Sequence, residues 1–168
     1  MATTRKIRDA LHLDEQLCFS LYSTMHLLNR TYRPLLEKLG LTYPQYLAML
    51  VLWEEDGVTV KALGERLLLD SGTLTPLLKR LESAGWVKRE RDAADERLVR
   101  ITLTSAGRAL RTRAECVPPA ILSASGCSVE QLQALKAQVL AIRDQLNARL
   151  EHEPPPAPTP KRRKAAGR

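Results

Sequence analysis

The chain has 168 residues, of which 44% are hydrophobic, so it can bury a core and is not disordered as a whole. Its net charge of +7 favours a polyanionic partner. The excess lies in residues 59–113, which carry a net charge of +5, and in five basic groups of a tail at 154–168. No apolar run approaches the ~20 residues of a membrane span, and no secretory signal begins the sequence, so we expect a cytoplasmic protein without a membrane partner.

The first predicted element is a long amphipathic helix over residues 14–38, which follows a flexible N-terminus at residues 1–13. Gly40 is expected to end this helix. Thr42 is expected to cap a second helix, whose first turn tolerates Pro44. The first helix carries one apolar stripe with a spacing of three or four: Leu17, Leu21, Met25, Leu28, Tyr32 and Leu35.

Two shorter helices follow in the order of a helix-turn-helix. The first is predicted at about Val60–Leu67, with Thr59 as its cap, and the second begins at Asp70 or Ser71. Pro76 lies inside the second helix, where it cannot donate a backbone hydrogen bond. We therefore expect an irregular first turn there.

The hydrophobic period then changes from helical to alternating. Segments 86–91 and 98–103 predict two antiparallel strands, joined by a tight polar turn at 92–97. Such a hairpin after a helix-turn-helix is typical of a wing.

Two more helices are predicted after the hairpin. One ends before Pro118, and the last runs from about Ser128 to Leu150. Its apolar stripe is Leu132, Leu135, Val139, Ile142 and Leu146. The proline-rich and basic tail at 151–168 is expected to be disordered. The fold is thus predicted to be mainly α with a small β-hairpin: a winged helix-turn-helix at 14–150, its DNA-binding part at about 42–104, with N- and C-terminal dimerisation helices.

The helix-turn-helix and the wing supply the candidate DNA-binding residues, because the second helix enters the major groove and its early residues meet base edges. These are Ser71, Gly72, Thr73, Thr75, Lys79 and Arg80 in the helix, and Arg91, Asp95 and Arg97 in the wing. Arg97 is expected to enter the minor groove, with Asp95 orienting it. A solvated charged hairpin is the alternative, and its pairing with a helix-turn-helix favours duplex DNA.

The three cysteines, Cys18, Cys116 and Cys127, have no zinc-ligand spacing, and neither do the histidines, so we predict no metal and no cofactor. In the cytoplasm these thiols would be reduced. Cys116 receives no role and is interpreted as buried or incidental. From the residues alone, Cys18 could equally be a small hydrophobic residue of the core.

Two stretches of the sequence resemble organic hydroperoxide resistance regulators, a branch of the MarR family. They are LCFSLYSTMHLLNRTYRPLLEKLG (17–40) and the stretch from LTYPQY through SGTLTPLLKRLE and DERLVR (41–104). The resemblance covers about residues 14–150. It implies a homodimeric repressor that leaves a palindromic operator when an organic hydroperoxide oxidises a cysteine.

The same resemblance implies roles for individual residues. Cys18 matches the peroxide-sensing cysteine, Tyr32 and Tyr43 match tyrosines that hydrogen-bond it, Tyr22 matches a nearby tyrosine, and Cys127 matches a resolving cysteine. Cys18 and Tyr22 share one helix face. Cys18 and Tyr32 lie ~21 Å apart along a straight helix, so contact between them would join two subunits.

Three other functions stay open. One is a MarR-type repressor that binds a small phenolic ligand and uses no redox chemistry. A thiol peroxidase is disfavoured because the sequence offers no peroxidase motif, so we do not expect an enzyme. A non-specific nucleoid protein is the third alternative.

Overall fold

The computed structural model describes residues 11–152, and the side chains of residues 11–150. Most of the predicted flexible N-terminus and of the predicted disordered tail therefore lies outside the described residues. The chain divides into two compact units, Met1–Ser125 and Gly126–Arg168. After a 3-10 turn at Leu13–Glu15, the elements are α1 (Leu17–Glu37), α2 (Tyr43–Glu54), β1 (Val58–Thr59), α3 (Val60–Leu67), α4 (Ser71–Ser83), β2 (Val87–Arg91), β3 (Val99–Leu103), α5 (Ser105–Ala114), α6 (Val117–Ser125) and, in the second unit, α7 (Val129–His152).

The turn between α1 and α2 is set by local chemistry, as predicted. Gly40 adopts a left-handed backbone with φ of +69°, which ends α1 without a steric penalty. The Gln45 side-chain oxygen then accepts the Thr42 backbone N–H at 2.8 Å and satisfies an unpaired donor at the start of α2. Pro44 lies in the first turn of that helix.

The helix-turn-helix consists of α3 and α4, and a side chain caps each helix. The Thr59 hydroxyl accepts the Ala62 N–H at 3.1 Å, and the Asp70 carboxylate accepts the Thr73 N–H at 2.9 Å. The expected irregular first turn of α4 is wrong, since the helix is regular from Ser71 onwards. Pro76 lies in the second turn of α4, where its missing N–H removes one backbone hydrogen bond.

The turn between these helices is strained. Leu68 has φ of 55° and ψ of 40°, a left-handed conformation that glycine adopts at lower cost. Its side chain is 67% exposed. Gly64 of α3 lies close to Leu69, the residue after Leu68, because a Cβ on Gly64 would be 3.0 Å from the Leu69 carbonyl oxygen.

The predicted wing is confirmed, and it belongs to a three-stranded antiparallel sheet with the order β1-β3-β2. Val87 pairs with Leu103 across the hairpin. The two-residue β1, which was not predicted, pairs Val58 with Ile101. Gly107 of α5 lies against the start of the hairpin, and a Cβ there would be 2.0 Å from the Trp86 carbonyl oxygen.

The first unit has one hydrophobic core, to which α2, α4 and the sheet contribute most. Its largest fully buried side chains are Leu36, Met49, Leu52, Leu63, Leu74, Leu78, Leu81, Ile101, Leu110, Val87 and Val117. Helix α6 was not predicted, because Pro118 and Pro119 suggested an end to helical structure. They lie in its first turn, where a helix does not need their N–H groups.

Two long helices leave apolar side chains uncovered in the single chain. On α1 these include Leu17, Leu21 and Met25, each more than a third exposed. On α7 they include Leu135, Val139, Ile142, Leu146 and Leu150. Three residues of the stripe predicted on α1 and four of the stripe predicted on α7 are among them, and the other members of both stripes are half-buried. No helix among the described residues is long and apolar enough to cross a membrane.

Candidate nucleic-acid interface and thiol site

Helix α4 separates its core-facing side chains from its polar ones, as a recognition helix requires. Leu74, Leu77, Leu78 and Leu81 are buried on one side. Of the candidate DNA-binding residues on α4, five are exposed and Thr75 is half-buried; the exposed ones are Ser71, Gly72, Thr73, Lys79 and Arg80. The six predicted residues of α4 therefore lie on the part of the helix that the core does not cover.

The cap of α4 is also an acidic group beside this face, and the sequence analysis gave it no part in DNA binding. The Asp70 carboxylate accepts hydrogen bonds from the backbone N–H and the hydroxyl of Thr73, both at 2.9 Å. These bonds, the backbone one first, lower the pKa of Asp70 below its ordinary value. The Thr73 hydroxyl is thus already engaged as a donor, and its lone pairs can accept only from a donor group such as the amino group of a base.

The wing presents Arg91, Asp95 and Arg97 to solvent. Asp95 does orient this turn, but through the backbone: its carboxylate accepts the Arg97 N–H at 3.0 Å. Within residues 11–150, neither Arg91 nor Arg97 forms an ion pair. Both guanidinium groups are therefore available to a polyanion.

A buried carboxylate at the start of the wing's turn was missed by the sequence analysis. Asp92 is only 9% exposed, and it pairs with Arg100 of β3. The neighbouring guanidinium, together with backbone N–H groups of the turn, lowers the pKa of Asp92. Its position directly after β2 was the signal, because an acidic residue there can accept from the N–H groups of the turn that follows.

Cys18 lies in the first turn of α1 with its side chain exposed. Tyr22 follows one helical turn later, and its ring stacks on His26 with centroids 6.4 Å apart. The structure therefore confirms that Cys18 and Tyr22 share a helix face. Both face solvent in the single chain, beside the uncovered Leu17 and Leu21.

Tyr32 and Tyr43 meet at the far end of α1, with ring centroids 4.8 Å apart. A third ring that was not predicted, Tyr46, lies 6.1 Å from Tyr32 and also contacts Trp53. Burial is the first cause that raises the pKa of all three phenols. They therefore stay protonated at neutral pH and can donate hydrogen bonds. The pattern TYPQY places Tyr46 three residues after Tyr43, on the same side of α2, which could have predicted it.

The structure does not bring Cys18 to these phenols within one chain. Cys18 and Tyr32 belong to the same helix, and 14 residues separate them, so their backbones lie ~21 Å apart. The geometry agrees with the expectation that any contact would come from a second chain.

The other two cysteines have different surroundings. Cys116 lies between α5 and α6 and is exposed, so the interpretation as a buried residue is wrong. Its thiol donates to the Arg113 carbonyl oxygen at 3.4 Å. Cys127 is exposed just before α7, in the second unit. Among the described residues, no group of three or more His, Cys, Asp or Glu side chains could hold a metal ion.

Comparison with known proteins settles the family. The model of the transcriptional regulator SarA/Rot family matches residues 30–113. The HTH-type transcriptional regulator TtmR of Methylorubrum extorquens is 51% identical over 141 residues, which are 84% of this chain and 72% of TtmR. The organic hydroperoxide resistance transcriptional regulator of Bacillus subtilis is 48% identical over 83% of this chain and 95% of its own length. The chain belongs to the MarR family of transcriptional regulators.

Solved structures agree with this assignment to the MarR family. AbfR of Staphylococcus epidermidis, in an overoxidised form bound to DNA, is 42% identical, with a TM-score of 0.65 over 80% of this chain and 94% of AbfR. AbfR is also known reduced and bound to DNA, and in a form with a disulfide. The winged helix-turn-helix fold of this MarR-family chain is thus shown, and the relatives found are transcriptional regulators.

Proposed function

We propose that this MarR-family chain is a redox-sensing repressor that binds a palindromic DNA operator as a homodimer. An organic hydroperoxide oxidises Cys18 and thereby releases the operator. The observation that carries the proposal is the division of one helix, α1: it holds an exposed thiol near its first residue and Tyr32, which contacts Tyr43, near its last. A cytoplasmic location follows from such a role.

The homodimer is supported by the uncovered apolar stripes. Leu17, Leu21 and Met25 would expose hydrocarbon to water in an isolated chain, and burying them against a second copy is favourable. A second copy packed on α1 would also bring its own Cys18 toward Tyr32 and Tyr43 of this chain. One interface would then serve both stability and sensing.

The chemistry proposed for Cys18 begins with its thiolate, since the thiol is a poor nucleophile. Sulfur attacks the terminal peroxide oxygen, an S–O bond forms and the O–O bond breaks. Cys18 becomes a sulfenic acid, and the alkoxide leaves as an alcohol after taking a proton. The phenols of Tyr32 and Tyr43 would donate hydrogen bonds to the thiolate and to the leaving oxygen.

Cys127 of the other subunit is proposed as the resolving thiol. Its sulfur attacks the sulfenic acid, a disulfide forms, and the hydroxyl leaves as water. AbfR is found on DNA in an overoxidised form, and another AbfR structure contains a disulfide. By analogy we assign the release of DNA to the disulfide rather than to further oxidation of Cys18.

DNA contact is assigned to the exposed face of α4 and to the wing. Ser71, Gly72, Thr73 and Thr75 would face base edges in the major groove, while Lys79 and Arg80 meet phosphates. Arg91, Asp95 and Arg97 belong to the wing, with Arg97 in the minor groove. The support is that all of these residues except the half-buried Thr75 are exposed, on two elements that follow each other in the chain.

The test is an operator selected from random duplexes by the wild-type protein, followed by gel-shift titration with cumene hydroperoxide. We expect the wild type to release this operator, Cys18→Ser to stay bound, and Cys116→Ser to behave like the wild type. Release by Cys18→Ser would contradict the sensor assignment. Failure to select any palindrome would favour a non-specific DNA-binding protein.

A repressor controlled by a small phenolic ligand is a second candidate, which one cavity favours. It has a volume of about 750 Å³ and lies between the α3–α4 turn and the wing. Apolar side chains line it together with charged groups of both signs, among them Arg89, Arg97, Glu65 and Asp70. Arg89 Nε is buried and has no hydrogen-bond partner among the described residues. Release of the operator from Cys18→Ser by a hydroxybenzoate, without peroxide, would support this candidate.

A thiol peroxidase is the remaining alternative. Steady consumption of cumene hydroperoxide in the presence of dithiothreitol, at many equivalents per chain, would support an enzyme. A sensor needs one equivalent per thiol, so we expect no sustained turnover.

A further inference from the structure

The turn of the wing is built around one carboxylate. Asp92 follows β2 directly and is nearly buried, although its neighbours Arg91 and Ala93 are exposed. Its Oδ1 accepts the backbone N–H groups of Ala94 at 2.8 Å and Asp95 at 3.1 Å. Its Oδ2 is ion-paired with Nε of an arginine on β3.

That arginine, Arg100, has a second contact outside the hairpin. One of its terminal nitrogens donates to the Gly57 carbonyl oxygen at 2.8 Å. Gly57 lies in the turn that follows α2, and its own N–H donates to the Ile101 carbonyl oxygen at 3.1 Å. Arg100 thus joins the tip of the wing to the end of α2. We call Asp92, Arg100 and the Gly57 carbonyl the wing anchor.

The arginines of the wing have two kinds of surroundings: one is bonded within the fold, and two face solvent. Arg100 is 47% exposed, but two of its nitrogens already have acceptors within the fold. Arg91 and Arg97 have no carboxylate partner within residues 11–150 and face solvent. The geometry therefore separates Arg100 from the two exposed arginines of the wing.

We propose that Asp92 and Arg100 are positioning residues, which hold the wing at a fixed place relative to α2 so that Arg97 can reach the minor groove. This inference rests on the proposed DNA-binding function. A loop without the anchor would have to become ordered on binding, and that loss of entropy would weaken the complex. Arg100 therefore supports DNA binding without contacting DNA.

Removing the Asp92 carboxylate tests the proposal, because an effect of its charge alone and a role in the wing anchor predict opposite changes in operator affinity. If Asp92 acted only through its charge, Asp92→Ala would strengthen binding, because a negative charge near phosphates is lost. As part of the anchor, its loss should weaken operator binding about tenfold. Glu96→Ala is the matched control: this exposed carboxylate of the same turn has no side-chain partner within residues 11–150, and its removal should not weaken binding. Tighter binding by Asp92→Ala would overturn the proposal.

A double-mutant cycle separates positioning from direct contact. Arg97→Ala and Arg100→Ala should each weaken operator binding about tenfold, and Arg100→Ala should have less than about a twofold effect in an Arg97→Ala background. In that background the salt dependence of binding should also stay unchanged. A direct phosphate contact by Arg100 would instead lower the slope by about one and give additive effects, and either result would overturn the proposal.

Milder variants guard against loss of the fold. Arg100→Lys keeps the charge but not the planar fork, so it should bind like Arg100→Ala rather than like the wild type. Binding like the wild type would indicate that charge alone matters, and would overturn the anchor. Circular dichroism and operator affinity are measured together for every variant. If the wild type selects no operator at all, the proposed DNA-binding function is contradicted. If the wild type binds an operator and Arg97→Ala binds it more weakly, the Asp92 and Arg100 variants test the wing anchor alone.

Discussion

Mixing two defective chains tests whether the thiol site is built from both subunits. Cys18→Ser removes the thiol but keeps Tyr32, and Tyr32→Phe removes the phenol but keeps Cys18. Since these residues lie ~21 Å apart on one helix, we expect a complete site only where one chain's Cys18 meets the other chain's Tyr32. A heterodimer of the two variants would then contain one wild-type site and one with neither group.

The expected rates follow from one hydrogen bond to a charged sulfur. Such a bond contributes ~1.5–3 kcal/mol, so the Tyr32→Phe homodimer should react roughly 10- to 150-fold more slowly than the wild type. The Cys18→Ser homodimer should not react at residue 18. In the mixed dimer, the single Cys18 should react at the wild-type rate.

The assay uses two affinity tags to isolate the mixed dimer after co-expression. Loss of the Cys18 thiol with cumene hydroperoxide is followed by quenched alkylation and mass spectrometry. A heterodimer of Cys18→Ser with the wild-type chain serves as the control, because it also holds one complete site and should react at the same rate. If the mixed dimer reacts only at the slow rate of the Tyr32→Phe homodimer, the two-chain site is refuted.

Three further outcomes are expected. Cys127→Ser should form no intersubunit disulfide on a non-reducing gel after peroxide, and a persistent dimer band that Cys116→Ser abolishes would reassign the resolving role. Gly107→Ala should destabilise the fold by more than ~3 kcal/mol, since its Cβ would lie 2.0 Å from a backbone oxygen, whereas Gly85→Ala, with open space around it, should cost only ~1 kcal/mol; thermal unfolding compares the two. Because the pKa of Asp92 is lowered in the folded chain, its stabilising effect is complete above the ordinary value of 3.8 and is lost as the pH falls below it. Asp92→Asn should therefore flatten acid unfolding measured by circular dichroism, and an unchanged acid profile would contradict this.

Elements specified by nearby residues could be predicted from the sequence. Thr42, Thr59 and Asp70 each cap a helix through a hydrogen bond to a residue three positions later. The local sequence is therefore enough to locate where these three helices begin. The wing was also predictable, since alternation and a polar turn mark both of its strands. These features rest on contacts within a few residues.

Features that depend on distant partners were missed. Strand β1 has two residues and exists only because Val58 and Thr59 pair with β3 some forty residues later. The same holds for the site: Asp92 pairs with Arg100 on β3, and the ring of Tyr46 on α2 lies beside the ring of Tyr32 on α1. For Pro76 the error was of another kind, because the proline lies in the second turn of α4 and leaves the first turn, which begins at Ser71, unaffected.

The exposed leucines of α1 affect the concentration of the protein that a cell needs. In the proposed homodimer, Leu17 and Leu21 stabilise the fold through their burial against the second chain, so the folded fraction should rise with total protein concentration. A chain made in too few copies would spend longer open to proteases. Abundance would then act as a second input beside the oxidant, and the cell would lose repression by dilution as well as by oxidation.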